Sequence, residues 1–457
     1  MLPKPPTKPS GADLFRSELD QILDPDHELV RLAKLIDWKT LETHFGRLYI
    51  DRSGRPGLPT RLMVGLHLLQ HTKGLSDEAV CAAWLENPYF QYFCGATYFQ
   101  HKLPLDRSSM TRWRKRAGTE DLERILAETL AAAQRAKAVE PKAFERVTVD
   151  STAQTKAIAH PTDSGLYMRA IEWMNRFADR HGLTLRQSFV RLAKRCRVQV
   201  ARQIHSRAHK QALREVRRMR TFTGRLLRDI VRKIGEDLQL QEAFKPVADP
   251  IFKLLAQTTG SKKKIYALHA PEVECIAKGK ARTRYEFGTK ASFAVINAKS
   301  KRGSDKVQGQ YVVGAQACPN LPYDGHTLKD QIKQVERLTK TKVKRAYVDQ
   351  GYRGHGVTDT EVYISRARGI TSPTIKRELK RRSAIEPVIG HMKSDGKLER
   401  NWLAGTHGDS VNVLLVAAGH NIRLLLNWLR HFCAFIMALA LSVTETTNTS
   451  DCRQLTA

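Results

Sequence analysis

Apolar residues recur at helical spacing from the start of the chain. Leu19, Ile22 and Leu23 form one group and Leu29, Leu32 and Leu35 another, with a break at Asp24-Pro25. Thr60 is placed to open a helix through Leu62, Leu66 and Leu69. After Lys73-Gly74, Ser76 is a favourable N-cap for a helix from Asp77 to Leu85, with acids in its first turn where the helix dipole favours them. An aromatic cluster follows at Tyr89, Phe90, Tyr92 and Phe93, and a third helix starts at Ser108 or Ser109. Residues 13–120 therefore read as an all-helical domain, preceded by a Pro-rich, polar leader at residues 1–12 expected to be disordered.

The pattern then changes. Phe144 to Asp150 is β-branched and ends in an acid, as a short buried strand does. Strand-like segments return at Lys264–Leu268, Ala291–Asn297, Gln310–Gln316, Val343–Val348 and Glu361–Ile364, with a helix from Thr327 to about Leu338. Residues 140–430 are thus a mixed α/β unit, interrupted by a helical insertion at 166–260. Within the insertion an apolar stripe runs through Phe189, Cys196, Val200, Ala212, Met219, Leu226, Ile230 and Ile234, which predicts one long helix or two antiparallel ones. Residues 411–443 predict a C-terminal packing helix, with a subunit contact as a further role, and 444–457 a disordered tail.

Charge adds a partner. Lys and Arg total 77 against 46 Asp and Glu, a net charge of +31. A surplus of that size must lie on the surface and recruits polyanions, of which nucleic acid is the commonest. Residues 194–233 carry fourteen Lys or Arg and two acids, too one-sided for salt-bridge lacing and suited to a DNA backbone. The third N-terminal helix carries Arg112, Arg114 and Lys115, so it resembles the basic last helix of a helix-turn-helix. The seven cysteines form no CxxC pair and no zinc spacing, as expected of thiols in a reducing cytoplasm. The apolar run Phe432 to Val443 is too short to span a bilayer.

Breaking a phosphodiester calls for hard divalent cations and for carboxylates to hold them. Asp150 and Asp349 each follow a β-branched run, and adjacent parallel strands would bring them together although 349 − 150 separates them by 199 positions. Taken singly, each is equally well a strand-end turn former. Arg382, Glu386 and Lys393 fall within about 40° of one another on a helix, beside an apolar stripe of Ile385, Ile389 and Met392. Pro387 requires that helix to kink or to start nearby. Asp163 and Asp324 read as turn formers, and Glu286 as a partner of Arg282 or Arg284.

On these residues the chain resembles the bacterial insertion-sequence DDE transposases, specifically the IS-five type within the wider IS-four-like group. Their third motif reads Tyr, two residues, Arg, three residues, Glu, six residues, Lys. Arg382, Glu386 and Lys393 match it, with Leu379 at the tyrosine position. The likeness extends to Val147–Thr152, Tyr285–Lys290, Tyr323–Leu328 and Asp349–Gly354, and from about residue 58 to residue 430 overall. It implies an RNase H-like mixed sheet flanked by helices, with the helical domain and basic insertion attached. It also implies a site in which Asp150, Asp349 and Glu386 hold two magnesium ions, with manganese as a substitute. Lys290, Arg353, Arg382 and Lys393 would meet phosphates, while Arg112, Arg114 and Lys115 would read the element ends. The implied reaction frees a 3′-hydroxyl at the end of an element and joins it to target DNA. The partners would be double-stranded DNA, as terminal inverted repeats and target, and a second copy of the chain. The implied location is the bacterial cytoplasm, at the nucleoid when active, with no membrane. A catalytically silent DNA-binding relative and an RNase H-like nuclease without strand joining are the competing readings.

Overall fold

The computed structural model describes residues 17–49, 56–277, 284–298, 310–367, 369 and 372–451, with the side chains of the last helix described as far as Arg430. The expected leader at 1–12 and the end of the expected tail, 452–457, lie outside the described residues.

Eight helices come first: α1 (Leu19–Ile22), α2 (Glu28–Leu35), α3 (Trp38–Gly46), α4 (Thr60–Lys73), α5 (Asp77–Glu86), α6 (Pro88–Phe93), α7 (Ser108–Arg116) and α8 (Thr119–Arg135). Their ends follow local chemistry. Gly74 stops α4 in the left-handed conformation at φ 62°, and the Ser76 hydroxyl accepts from the Ala79 amide at 3.1 Å to start α5. The expected succession of helix, Gly-containing turn and Ser-capped helix is therefore present at α4 and α5.

Strand β1 (Arg146–Thr155) opens the sheet and is followed by α9 (Asp163–Arg180), α10 (Val190–His205), α11 (His209–Ile234) and α12 (Leu238–Ala256). The remaining elements are β2 (Glu274–Ala277), β3 (Tyr285–Ile296), β4 (Val312–Cys318), α13 (Asp324–Thr339), β5 (Arg345–Val348), β6 (Glu361–Ile364), α14 (Pro373–Lys380), α15 (Ile385–Ser394) and α16 (Gly405–Asp451). The sheet runs β2-β3-β1-β5-β6, with β4 also paired to β3. β3 is antiparallel to β1, β2 and β4, whereas β5 is parallel to β1 and β6 parallel to β5. Both β2 and β4 lie on the edge of β3 away from β1, one after the other.

Several expectations shift. Lys264–Leu268 forms no strand: Ile265 and Leu268 instead close the core of the insertion as irregular chain. The short strand β2 had no sequence signal. The apolar stripe folds as two helices, the second of the two expected forms: a reversal at Ser206–Ala208, with Arg207 at φ 59°, divides it between α10 and α11, and α9 and α12 on either side complete the insertion. α16 is longer than 411–443 and takes residues 444–451 of the expected tail into the helix.

Two hydrophobic cores organise the chain. One belongs to the insertion and runs from Leu166 to Leu268. The other is continuous from α2 through the sheet to α16. α16 is its spine: Val411, Leu414, Leu415, Ala418, Ile422 and Leu425 are buried, and the helix packs against α2, α4, α8, α15 and β4. A helix apolar on most sides must be covered on most sides. The chain itself does most of this covering as far as Leu429, while Thr406, His407 and Asn427 stay exposed. Among the described residues, no helix is long and apolar enough to cross a membrane.

Three histidines are sealed in this core. Burial, with the Arg114 charge added, holds His67 and His71 at about 3, and burial holds His420 at about 4. Unfolded histidine takes up its proton near pH 6.5 and these do not, so the stability present above that pH is lost as pH falls towards 4. The melting temperature is expected to drop between pH 7 and pH 5, and to drop less in His71→Gln. A flat profile would contradict burial of neutral imidazoles.

Candidate functional site

β1 and β5 are in register at an offset of 199 residues, since Arg146, Val147 and Thr148 face Arg345, Ala346 and Tyr347. Continuing that register by two positions sets Asp150 beside Asp349, on strands about 4.8 Å apart. Asp150 lies in the middle of β1, which continues to Thr155, so it does not end its strand as expected. Asp349 does: it is the residue after β5, and its carboxylate accepts from the Gly351 amide at 2.8 Å to start a single 3-10 turn at Gln350–Tyr352.

Glu386 lies in the first turn of α15. Pro387 follows it, where a missing amide hydrogen is tolerated, and the preceding 3-10 turn, Arg381–Ala384, absorbs the change of direction. Arg382 nevertheless stays with Glu386: its Nη2 is 4.0 Å from Glu386 Oε1 while its Nη1 is 3.8 Å from Asp150 Oδ2. One guanidinium thus links an acid of the sheet to the acid of the helix.

A carboxylate with no sequence signal positions this helix. Glu378 on α14 is buried and accepts from Arg146 Nη1 and Arg345 Nη1, each at 2.8 Å, and from the Tyr347 hydroxyl. Burial pushes its carboxyl up, but the bonds from Tyr347, Arg146 and Arg345 outweigh burial and hold it below the usual range. Those arginines start β1 and β5, so Glu378 clamps the chain leading to Glu386 onto the two strands that carry the aspartates.

Asp324 belongs to the site rather than to a mere turn. A Cβ placed on Gly351 would fall 3.1 Å from Asp349 Oδ1 and 3.4 Å from Asp324 Oδ2, so glycine alone leaves that space between the two acids open. Tyr352 is fully buried, and its hydroxyl is pushed far up by burial and then by Asp324, Asp150 and Asp349 around it. The Tyr-Asp-Gly-His and Gln-Gly-Tyr-Arg segments were the signal for both residues.

The expected phosphate-binding cations divide. Arg353 is exposed. Lys290 Nζ is held by the Pro322 carbonyl at 2.6 Å and by Asp324 at 3.2 Å. Lys393 Nζ lies 3.9 Å from Glu286, which supplants the expected Arg284 pairing; Arg282 lies outside the described residues. On α7, Arg112 and Lys115 face solvent. Arg114 does not. It is 5% exposed, its Nη1 donates to Asp77 Oδ1 at 3.0 Å and it meets His67 at 3.2 Å. It sits on the inner face of α7 with Met110 and Trp113, so it pins α7 to α4 and α5 and is not part of the exposed basic edge.

These residues suit a hard divalent cation by donor type, since all are carboxylate oxygens. The guanidinium between Asp150 and Glu386 marks a seat for positive charge, and the Gly351 space marks an opening beside Asp349. Among the described residues, however, no three acidic, histidine or cysteine side chains converge closely enough to enclose an ion. The donor chemistry fits, and the cluster is not drawn together.

Comparison with known proteins gives the site its family. Residues 17–116 match a transposase domain (DUF772), which takes in α1 to α7. Residues 352–426 match a transposase DDE domain, which takes in Arg353, Arg382, Glu386 and Lys393 but neither aspartate. The chain is similar to an uncharacterised protein, ORF8 in the nfe locus of Rhizobium meliloti. The two are 50% identical over 204 residues, which are 44% of this chain and 98% of that protein. No solved structure matches significantly. With a transposase domain at its helical end and a transposase DDE domain spanning the glutamate helix, the chain belongs to the DDE transposases.

Proposed function

We propose that the protein is a transposase of the IS-five type, which cuts DNA at the ends of an insertion sequence and joins the freed 3′-hydroxyl to target DNA. The alignment of Asp150 with Asp349, tied through Arg382 to Glu386, carries this reading. The order β4-β3-β1-β5-β6, with β3 as the reversed strand, supports an RNase H-like catalytic sheet.

Asp150, Asp349 and Glu386 would hold two magnesium ions, or manganese in their place. Such ions stabilise charge on both the attacking and the leaving oxygens of a phosphodiester. The chain's own cations do the remainder. Arg353, and Arg382 and Lys393 once turned from their carboxylates, offer donors to phosphate oxygens. Arg112 and Lys115 on α7 present an exposed basic edge to a major groove. The action on paired ends implies two copies of the chain. Incubating the purified protein with duplexes carrying the flanking inverted repeats and a target plasmid tests the reading. Joined products support it; cut but unjoined DNA indicates a nuclease, and binding without cutting a silent relative.

The insertion supplies the long basic surface. On α11, Lys210, Arg214, Arg217, Arg228 and Arg232 are exposed within an arc of about 60°, opposite the buried Ala212, Met219, Leu226 and Ile230. From Lys210 to Arg232 the stripe extends about 33 Å, close to one turn of duplex DNA. Replacing Arg214, Arg217 and Arg228 with glutamate is expected to weaken duplex binding at least about tenfold and to lower the log–log salt slope by about 3. Fluorescence anisotropy between 50 and 200 mM salt checks it, and an unchanged slope would place the DNA elsewhere.

A further inference from the structure

Arg382 lies where two of the acids meet. Its side chain is 19% exposed, against 21% for Asp150 and 67% for Glu386, and its two terminal nitrogens face one acid each at 3.8 and 4.0 Å. These are charge contacts, longer than hydrogen bonds. Two carboxylates facing one another repel unless a cation stands between them, and here the cation is a guanidinium. Neighbouring basic groups follow the same pattern, Lys393 on Glu286 and Lys290 on Asp324, so these acids too face a cation supplied by the chain.

A guanidinium and a divalent ion cannot both use these oxygens. A hard ion such as magnesium draws its ligands to about 2.1 Å, and its double charge repels the arginine. The arginine stands within 4.0 Å of both acids, on the side where an ion shared between them would have to lie. Its long side chain springs from the 3-10 turn ahead of α15, so it can swing aside without moving the helix that carries Glu386.

We propose that Arg382 is the resident counter-cation of Asp150 and Glu386 in the metal-free enzyme, and that a divalent cation must displace it to enter. This inference rests on the reading of those acids as metal ligands. Arg382 then opposes cation binding while it stays, and is released towards phosphate oxygens when it leaves. In this role it is a positioning residue that sets the order of events.

Manganese titration of the full-length protein without DNA, followed by the paramagnetic resonance of free Mn2+, tests the proposal. Arg382→Gln is expected to bind Mn2+ about five- to tenfold more tightly than the wild type, by the loss of two partly exposed charge contacts. Arg382→Lys, whose point charge cannot span both acids, is expected to fall between them. Thermal melting of both variants confirms that the fold is kept. If Arg382→Gln binds Mn2+ no better than the wild type while Asp150→Asn weakens binding, the arginine supports the ion rather than replacing it and the proposal is overturned. If Asp150→Asn and Glu386→Gln both leave Mn2+ affinity unchanged, the acids are not ligands, and the site reading fails together with the inference.

Discussion

Alanine at Asp150, Asp349 or Glu386 is expected to lower DNA cleavage by about a thousandfold or more while leaving DNA affinity within about twofold of the wild type. The two readouts separate because most of the exposed basic surface, the stripe along the insertion above all, belongs to other elements than the three acids. The β1–β5 register, continued by two positions, sets Asp150 beside Asp349, and Glu386 lies in the first turn of α15. The exposed basic surface lies on α7, α10 and α11. Removing one carboxylate takes away oxygens that would hold an ion, and it also removes a negative charge near the phosphate path. Affinity should therefore stay level or rise slightly. The variants are further distinguished by Arg382, which loses one carboxylate neighbour in Asp150→Ala and the other in Glu386→Ala but keeps both in Asp349→Ala. Substantial cleavage by the Glu386 variant would show that this exposed acid is not part of the machinery. Loss of DNA binding in all three would mean that the acids hold the fold rather than the ions.

The sequence exposed the acids because of the kind of strand that precedes them. Val-Thr-Val before Asp150 and Ala-Tyr-Val before Asp349 are β-branched or aromatic runs that fit a buried sheet, and the register between them then follows from pairing. The glutamate helix was legible from its apolar stripe, and of the kink or nearby start that Pro387 required it takes the start, at Ile385, which leaves Arg382 in the 3-10 turn before it. What escaped was set by burial and by long-range pairing, which a single chain does not display. Arg114 has the same letter as Arg112, yet a two-residue step on a helix turns it about 200° inward, onto Asp77. Asp324 reads as a turn residue until Gly351 brings Asp349 against it. Glu378 has no local signal at all: its partners Arg146 and Arg345 are 232 and 33 positions away. The apolar stripe of the insertion was visible, but the reversal at Arg207 carries no glycine or proline to announce it. Lys264–Leu268 shows the opposite failure, since buried Ile265 and Leu268 satisfy a core without any strand edge to pair with.

A stability effect of the same order of importance is expected where α16 meets the sheet. Asp409 has a side chain only 2% exposed, and it accepts from Lys156 Nζ at 2.7 Å, Asn401 Nδ2 at 2.7 Å and Thr289 Oγ1 at 2.8 Å. Lys156 is itself 5% exposed and shares its charge with Glu272 at 2.9 Å. Burying this cluster gains little over an apolar packing of the same shape, because desolvation offsets most of the attraction. Breaking it is another matter. In Asp409→Ala, Lys156 keeps a single carboxylate, while the Asn401 amide and the Thr289 hydroxyl lose their carboxylate acceptor. A loss of about 3 kcal/mol is expected, towards the low end for a broken buried pair because Glu272 remains. Chemical denaturation monitored by tryptophan fluorescence reads it directly. Removing both charges, in Lys156→Met with Asp409→Leu, should recover part of that loss, since no buried cation is then left short of its partner. The network joins the end of β1, a few residues beyond Asp150, to the helix that forms the spine of the main core, so it fixes how β1 sits against α16. Cleavage by Asp409→Ala at a temperature where it stays folded should then remain near wild type, and a specific loss of cleavage in the folded variant would give Asp409 a role in the chemistry instead.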